Sequence, residues 1–455
     1  MRRTIFAPAT APGRAALAVV RISGPSAGAA LAALTARPAP APRRASLRRL
    51  SDSGGEAIDE ALVLWFPGPG SATGEDVAEL HLHGGRAVLA GVLDSLAELP
   101  DLRPAEAGEF TRRAFENGRL DLTEAEAVAD LVDAETRAQQ RQALRQLDGA
   151  LGRLYDGWRQ RLVRALAHLE ADLDFPDEEL PAGVAAAVVP DLAAVASEIE
   201  DHLADSGRGE RLREGLEIAI LGPPNAGKSS LINAIARRDV AIVAETAGTT
   251  RDVLEVHLDL GGYPVVLADT AGLREAAADA VETEGIRRAR ARAERAGLRL
   301  LVFDAADWPE PDPGLRALAD GDALWVANKI DKAPLPDAGA EAGDDRSFDG
   351  RLLDGRPVLG VSALTGDGIA ALLDRLGEAV ADRLAPGAAP SLTRARHRQA
   401  LEDAAAALRR AEAAALPELV AEDARLAVRA LGRITGRVDV EDLLDIIFHD
   451  FCIGK

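Results

Sequence analysis

Gly222-Pro223-Pro224-Asn225-Ala226-Gly227-Lys228-Ser229 is the stretch whose residue types and spacing most directly imply chemistry. It fits G-x-x-x-x-G-K-[ST], follows the apolar run Leu216–Leu221 and opens a segment with Leu231, Ile232 and Ile235 at helical spacing, the context that a phosphate-cradling loop requires. Glycines let the backbone N–H groups of Asn225, Ala226, Gly227 and Ser230 curl around phosphate oxygens, and the following helix adds its N-terminal dipole. Lys228 is placed to reach the β- and γ-phosphates, and the Ser229 hydroxyl to ligate Mg²⁺. Further along stand Thr249-Thr250, then Asp269-Thr270-Ala271-Gly272 after a strand-like run, Asn328-Lys329-Ile330-Asp331 ending another, and Ser362-Ala363-Leu364 ending the last. Thr250 can complete the Mg²⁺ shell, Asp269 can support the metal, and Gly272 can lend an N–H to the γ-phosphate. Asp331 offers two acceptor oxygens to a base edge carrying N1–H and NH₂, which is guanine and not adenine. Asn328 and the Ser362–Ala363 backbone complete that base pocket.

Elements must position these loops. The candidate strands 216–221, 253–260, 263–268, 298–303, 323–327 and 357–361 are mostly separated by helix-length segments, which predicts a mainly parallel α/β sheet. The tight turn Leu260-Gly261-Gly262-Tyr263 predicts one antiparallel hairpin within it. Helical texture flanks this block over 122–213 and 391–448. Thr123 followed by Glu126 reads as a capping box, with Ala127, Leu131, Ala134 and Ala138 continuing at helical spacing. Near the other end, Asp439 reads as an N-cap for a face made of Val440, Leu443, Leu444, Ile447 and Phe448. Before residue 120, β-like runs at 15–22, 60–66 and 77–83 alternate with turns, and Pro38-Ala39-Pro40-Ala41-Pro42-Arg43-Arg44 reads as a surface loop.

The chain has 455 residues, 53 Lys+Arg and 74 Asp+Glu, hence a formal charge of −21. At about 150 residues per domain, that length suggests roughly three domains. Hydrophobic residues at 47% exclude wholesale disorder. The acidic balance argues against a charge-driven coat on nucleic acid, though not against a local basic groove. A single cysteine, Cys452, excludes an internal disulfide framework and multi-cysteine metal sites. Apolar runs are too short for a membrane helix, and Pro8, Pro12, Gly13 and Arg14 interrupt the start too early for a signal peptide. The expectation is a soluble cytoplasmic protein.

The four nucleotide motifs resemble the translation-factor class of Ras-like GTPases. Leu273 follows the Asp-x-x-Gly motif where Ras-type enzymes carry a water-orienting Gln, and no arginine finger is assignable. Asn225 either brings a monovalent cation to the phosphates in place of that arginine or simply forms a turn after two prolines.

The whole chain is similar to the MnmE (TrmE) family of bacterial tRNA-modification GTPases. The resemblance rests on Thr4-Ile5-Phe6-Ala7-Pro8-Ala9-Thr10, Val20-Arg21-Ile22-Ser23-Gly24, Thr73-Gly74-Glu75-Asp76, His83-Gly84-Gly85 and the run from Gly108 through Phe115 to Asn117-Gly118-Arg119-Leu120-Asp121-Leu122. Glu441-Asp442-Leu443-Leu444 and the terminal Phe451-Cys452-Ile453-Gly454-Lys455 complete it. It implies a multidomain α+β and α/β protein: an N-terminal α+β tetrahydrofolate-binding and dimerisation domain (1–120), a helical domain split over 121–213 and 381–455, and an inserted Ras-like P-loop GTPase domain (214–380). The implied activity is GTP hydrolysis in a complex with the FAD-dependent MnmG. That complex acts on tRNA and adds an aminomethyl or carboxymethylaminomethyl group at C5 of the wobble uridine, with 5-formyl- or methylene-tetrahydrofolate supplying carbon.

Carried over residue by residue, Arg21, Glu79, Arg119 and Lys455 contact folate, Arg119 standing where the family commonly has Lys. The loop Ala244-Glu245-Thr246-Ala247-Gly248-Thr249-Thr250 meets the nucleotide together with Asp269, Thr270, Ala271 and Gly272, and K⁺ is held by Asn225, Ala244, Thr246 and Thr249. Glu282, in a V-E-x-x-G-I segment, organises the hydrolytic water with Lys228 and Thr250 as catalytic partners. The family's Ser-Tyr-Thr-Gly-Glu reads Ser71-Ala72-Thr73-Gly74-Glu75, so the tyrosine is absent. On residue type alone Glu282 is a solvated helix acid, and Arg21 and Lys455 are surface charges. His81 and His83 share a strand face and read as packing or pocket lining, with zinc the weaker alternative for want of a third ligand. Cys452, between Phe451 and Ile453, reads as a structural or pocket-lining thiol in an apolar setting, against a nucleophile. A ribosome-assembly GTPase acting as an RNA-binding switch is the alternative function.

Overall fold

The computed structural model describes residues 3–174, 184–205, 207–242, 255–269, 296–319, 323–336, 352–353, 355–385, 387, 390–438, 441–449 and 451–454. They belong to two compact units, one drawn from Met1–Ala129, Arg145–Glu198 and Ala400–Lys455, the other from Asp130–Leu144 and Ile199–Gln399.

In the first unit, period-two patterning builds a six-stranded sheet of β1 (Thr4–Pro8), β2 (Leu17–Ser23), β3 (Ser46–Ser51), β4 (Ala57–Phe66), β5 (Val77–His83) and β6 (Leu102–Pro104). Their order is β3-β4-β5-β2-β1-β6, antiparallel except for the β1–β6 pair. Val20, Ile22, Ala78, Leu80 and Leu82 point to one face, where Leu31 and Leu34 of helix Ala27–Thr35 and Val92 and Leu96 of helix Arg86–Ala97 cover them. Burying each such leucine or valine contributes about 1.5–3 kcal/mol. Alternation then sends Arg21, Glu79 and His81 to the opposite face, and the β2–β5 register sets Arg21 directly across from Glu79. The runs read at 15–22, 60–66 and 77–83 are strands β2, β4 and β5. Strands β1, β3 and β6 carry weaker signals: β1 begins the chain, β3 carries Arg48 and Arg49, and β6 has three residues ending in Pro104 at the sheet edge.

The helices Ala150–Asp174 and Pro417–Thr435 of the same unit pack against each other along Leu162, Leu169, Ala424, Ala427 and Leu431. The capping box lies two residues earlier than Thr123–Glu126. Helix Leu122–Asp133 begins after Asp121, whose carboxylate accepts the Glu124 N–H at 2.8 Å while the Glu124 carboxylate accepts the Asp121 N–H at 2.8 Å. Thr123 is fully buried and donates its hydroxyl to Asp121. That helix stops at Asp133, so Ala134 lies between helices and Ala138 belongs to a second one, Arg137–Leu147. Leu444 and Phe448 of helix Glu441–His449 are buried with Phe451, Leu122 and Ala125; the expected cap Asp439 and Val440 lie outside the described residues.

The second unit holds a seven-stranded sheet of β7 (Leu216–Leu221), β8 (Glu255–Leu260), β9 (Tyr263–Asp269), β10 (Leu298–Asp304), β11 (Ala323–Asn328), β12 (Leu352–Leu353) and β13 (Arg356–Val361). Its order is β12-β13-β11-β10-β7-β9-β8. The five central strands are parallel, as expected, and the expected hairpin joins β8 to β9. Gly261 and Gly262 have φ of 65° and 89°, the two positive values that a tight hairpin turn demands. A second antiparallel pairing, β12 with β13, was too short to read from sequence. Ile218, Ile220, Leu300 and Val302 are buried on one face with Leu231 and Ile232, and Leu221, Leu301, Phe303 and Trp325 on the other. Apolar burial on both faces makes the C-terminal strand edges the polar outlets, and β7, β11 and β13 each end in a motif loop.

The cap is testable. Asp121→Ala should lower stability by about 1 kcal/mol, read as a shifted denaturant midpoint; an unmoved midpoint contradicts the reciprocal cap.

Candidate functional site

β7 runs straight into the phosphate-binding loop, and two contacts explain its glycines. A Cβ on Gly222 would meet the Val302 carbonyl oxygen at 2.1 Å, and one on Gly227 would meet Asn328 Nδ2 at 2.2 Å. Gly227 also has φ of +89°. Lys228 opens helix Lys228–Ala236, is 8% exposed, and donates to the Gly222 and Pro223 carbonyls at 2.7 and 2.9 Å. These bonds hold the ammonium against the loop that it would share with phosphates. Ser229 and Ser230 are exposed in the first turn, where the helix dipole favours anions. Asn225 is exposed with φ of +64°, so it does form a left-handed turn.

The loops after β11 and β13, which the sequence assigns to the base, are pinned to that cradle. Asn328, 1% exposed, donates to the Ala226 carbonyl at 2.9 Å and accepts the Ala363 N–H at 3.1 Å. Lys329 donates to the Asn225 carbonyl at 2.6 Å and to Asp304 Oδ2 at 2.7 Å. Burial pushes the Asp304 carboxyl up, but the Lys329 hydrogen bond, the Ala306 N–H and nearby lysine charge outweigh it and hold the carboxyl below its ordinary range. Asp331 Oδ1 accepts the buried Ser362 hydroxyl at 2.6 Å, which orients the carboxylate. A carboxylate oxygen has two lone pairs, so Asp331 retains acceptors for the two N–H groups of guanine.

On the open face of the first unit's sheet, Arg21 donates through Nε and Nη2 to Glu79 Oε1 at 3.0 and 2.9 Å, with its guanidinium carbon 5.8 Å from the centre of the Phe110 ring. His81 Nε2 lies 3.7 Å from Glu79 Oε2, too far for a hydrogen bond, and is buried without a partner among the described residues. Ser23, two residues beyond Arg21, bonds Thr73 and Glu75 at 2.7 and 2.8 Å. Arg113, 4% exposed, donates to Glu75, Glu109 and the Arg3 carbonyl, each at 2.9 Å. Burial raises the Glu109 carboxyl, but bonds from Arg103, the Glu106 N–H and Arg113 depress it overall. Its ionised form therefore contributes stability above the ordinary glutamate range, lost as pH falls through the depressed value. Arg119 lies against Gly74 in this Thr73–Glu75 loop, its Cγ 3.3 Å from where a Gly74 Cβ would stand.

The carboxyl-terminal tail reaches the same region. Ile453 forms a β-bridge with Ala107, Gly108 N–H donates to the Cys452 carbonyl at 3.4 Å, and a Cβ on Gly454 would meet the Pro8 carbonyl oxygen at 2.0 Å. Pro8 and Ala7 pair with Val20 and Arg21. Phe451 is buried, but the next two residues, Cys452 and Ile453, are both exposed. The apolar setting inferred for Cys452 is thus absent. His83 pairs with Asp59 at 2.7 Å, and among the described residues no three His, Cys, Asp or Glu side chains gather to hold a metal.

Two family models match this architecture: the GTP-binding protein TrmE N-terminus over residues 4–119 and the MnmE helical domain over residues 122–452. The chain belongs to the MnmE family of tRNA modification GTPases. Proteins named tRNA modification GTPase MnmE from Parvibaculum lavamentivorans and Paramagnetospirillum magneticum are 57% and 56% identical to it. The first alignment covers 99% of this chain and 100% of the relative, the second 100% of both. The MnmE of Rhodospirillum rubrum is 57% identical over 99% of each chain. Among the described residues no helix is long and apolar enough to cross a membrane.

Among the MnmE-family positions, the structure brings Asn225, Ala226, Gly227, Lys228, Asn328, Lys329, Asp331, Ser362 and Ala363 together, and pairs Arg21 with Glu79. Asp269 ends β9, with its side chain outside the description. Ala244, Glu245, Thr246, Ala247, Gly248, Thr249, Thr250, Thr270, Ala271, Gly272, Leu273, Glu282 and Lys455 lie outside the described residues. Sequence reasoning missed Asp304, whose signal was an acid ending a buried strand, and the Ser23–Glu75–Arg113 chain, which no local spacing announces.

Gly227→Ala should weaken guanine-nucleotide binding by about 100-fold, since the methyl displaces Asn328 and strains φ, together about 3 kcal/mol. Titration with a fluorescent GDP analogue checks this, and wild-type affinity would overturn the contact.

Proposed function

We propose that the chain hydrolyses GTP within a tRNA-modifying complex with the FAD-dependent MnmG, which adds an aminomethyl or carboxymethylaminomethyl group at C5 of the wobble uridine with a tetrahydrofolate derivative as carbon source. One observation carries this reading beyond GTP binding. The same chain holds the guanine-nucleotide constellation and, on the other unit's sheet, an Arg21–Glu79 pair beside the docked carboxyl-terminal tail. A bare switch GTPase needs the first and has no use for the second.

In this reading Lys228 and the N–H groups around it hold the phosphates, Ser229 and Thr250 hold Mg²⁺, and Asp331 and Asn328 select guanine. The exposed Ser229 hydroxyl at a helix start and the exposed Asn225 side chain suit hard cations. Mg²⁺, and K⁺ held by Asn225 with Ala244, Thr246 and Thr249, supply positive charge to the phosphates. Glu282 orients the water that Leu273 cannot. Arg21 over the Phe110 ring, Glu79, and His81 Nε2, which has no partner among the described residues, form a mixed donor and acceptor set that suits a pterin such as that of 5-formyl- or methylene-tetrahydrofolate. Arg119 and Lys455 add cationic partners for the folate carboxylates. Leu17, Leu47 and Leu62 are exposed on this same open face, which supports a homodimer formed through the N-terminal sheet.

Deleting the gene should abolish the modified wobble uridine in nucleoside digests of cellular tRNA; an unchanged profile would favour the RNA-binding switch. Gly454→Ala should lower affinity for 5-formyl-tetrahydrofolate at least about tenfold while sparing GDP affinity, because the tail loses its approach to Pro8. Calorimetric titration with each ligand reads both numbers.

A further inference from the structure

Among the described residues, five that are not glycine have positive φ, and two of them meet in the nucleotide site: Asn225 at 64° and Lys329 at 68°. A left-handed conformation is uncommon for residues other than glycine, and it persists where neighbours over-determine it. The restraint here is one ammonium. Lys329 Nζ donates to the Asn225 carbonyl at 2.6 Å and to Asp304 Oδ2 at 2.7 Å. Asp304 is itself fixed, because it stands opposite Asn328 in the β10–β11 register and its Oδ1 accepts the Ala306 N–H at 3.1 Å. One carboxylate thus occupies an oxygen with its own chain turn and the other with the lysine. Both side chains are more than two-thirds covered, so water competes weakly for the pair.

We infer that Asp304 is a positioning residue for the phosphate loop: by holding Lys329 on the Asn225 carbonyl it keeps Asn225 in its left-handed turn, and so sets the loop's affinity for a monovalent cation. The inference rests on the cation-binding reading of Asn225. Without the carboxylate, a flexible lysine must give up its rotamer freedom for a single bond to a neutral carbonyl. Asn225 is then free to leave the conformation that presents its side chain beside the phosphates. The acid lies on a different strand from any motif residue, which is why no spacing rule finds it.

Asp304→Asn is the informative change, because the amide can still accept from Ala306 yet loses the charge that holds Lys329. GTP turnover of the full chain is titrated with KCl at saturating GTP, for wild type, Asp304→Asn and Asp304→Glu. The half-saturating K⁺ should rise at least about tenfold in Asp304→Asn, the low end of the factor expected for one charge-assisted hydrogen bond. Turnover at saturating K⁺ should change little, and Asp304→Glu should recover part of the shift. Unmoved half-saturation, or a lower plateau alone, makes Asp304 merely structural and overturns the inference while leaving the cation reading intact. Wild-type turnover indifferent to K⁺ against Na⁺ removes both. GDP affinity gives a readout apart from turnover, with Asp304→Asn placed in wild type and in a Lys329→Met background. There the Asp304→Asn penalty should vanish if Asp304 acts only through the lysine, and additive losses overturn it.

Discussion

Asn328 spends both ends of its amide from a position almost without solvent, and the nucleotide site is arranged around that requirement. A buried amide left unpaired costs about 1–3 kcal/mol, so the Ala226 carbonyl and the Ala363 N–H have to stand where they do. The first bond brings the phosphate loop against the base loop so closely that no side chain fits at Gly227. The second brings in the loop after β13, whose Ser362 turns Asp331. Three loops that are far apart in sequence therefore behave as one rigid cradle. Parallel strands in fixed register deliver them to the same edge: β11 and β13 end level with each other at Asn328 and Val361, while β7 ends lower, level with Trp325.

The other unit solves a related problem differently. Two helices cover one face of its sheet, while on the other Phe110 of helix Glu109–Glu116 packs over Ile5 and Ala7 of β1, and the face beyond it is available for charge. Taking Arg113, Glu109 and Glu75 out of water is costly, and such a cluster holds together only when hydrogen bonds satisfy each group. Here Arg113 reaches Glu75, Glu109 and the Arg3 carbonyl, while Glu75 also accepts Ser23. The result is geometric specificity more than stability: the Thr73–Glu75 loop is locked beside Arg21, and the Arg21–Glu79 pair sits on a firm floor. The net charge of −21 is no obstacle to this, because the arginines that matter are local and already placed against acids.

Legibility in the sequence followed signal length. The parallel core strands were readable because each is a continuous apolar run, and the Gly261-Gly262 hairpin because positive φ at two adjacent residues nearly demands glycine. β3 and β6 were not, since an edge strand draws its stability from partners outside its own segment, and β1, five residues ending at Pro8, is too short to show a period of its own. The capping box was displaced because two overlapping Asp/Thr-x-x-Glu patterns compete, and only the buried place of Thr123 decides that Asp121 caps. Cys452 was misjudged for a related reason: flanking Phe451 and Ile453 look apolar, but only Phe451 packs inside, while Cys452 and Ile453 both face outward.

The sequence by itself pointed to a GTPase, because cradling phosphates and reading guanine need particular residue types at particular short spacings. It determined the family too, since blocks along the whole chain agree. Tertiary structure alone decided which charges act together. That Asp304 grips Lys329, that Arg113 binds Glu75, and that Gly454 must lie on Pro8 are meetings between residues 25, 38 and 446 positions apart. Such meetings arise from strand register and packing, and hydrogen bonds at these ranges leave no periodicity in the chain to read.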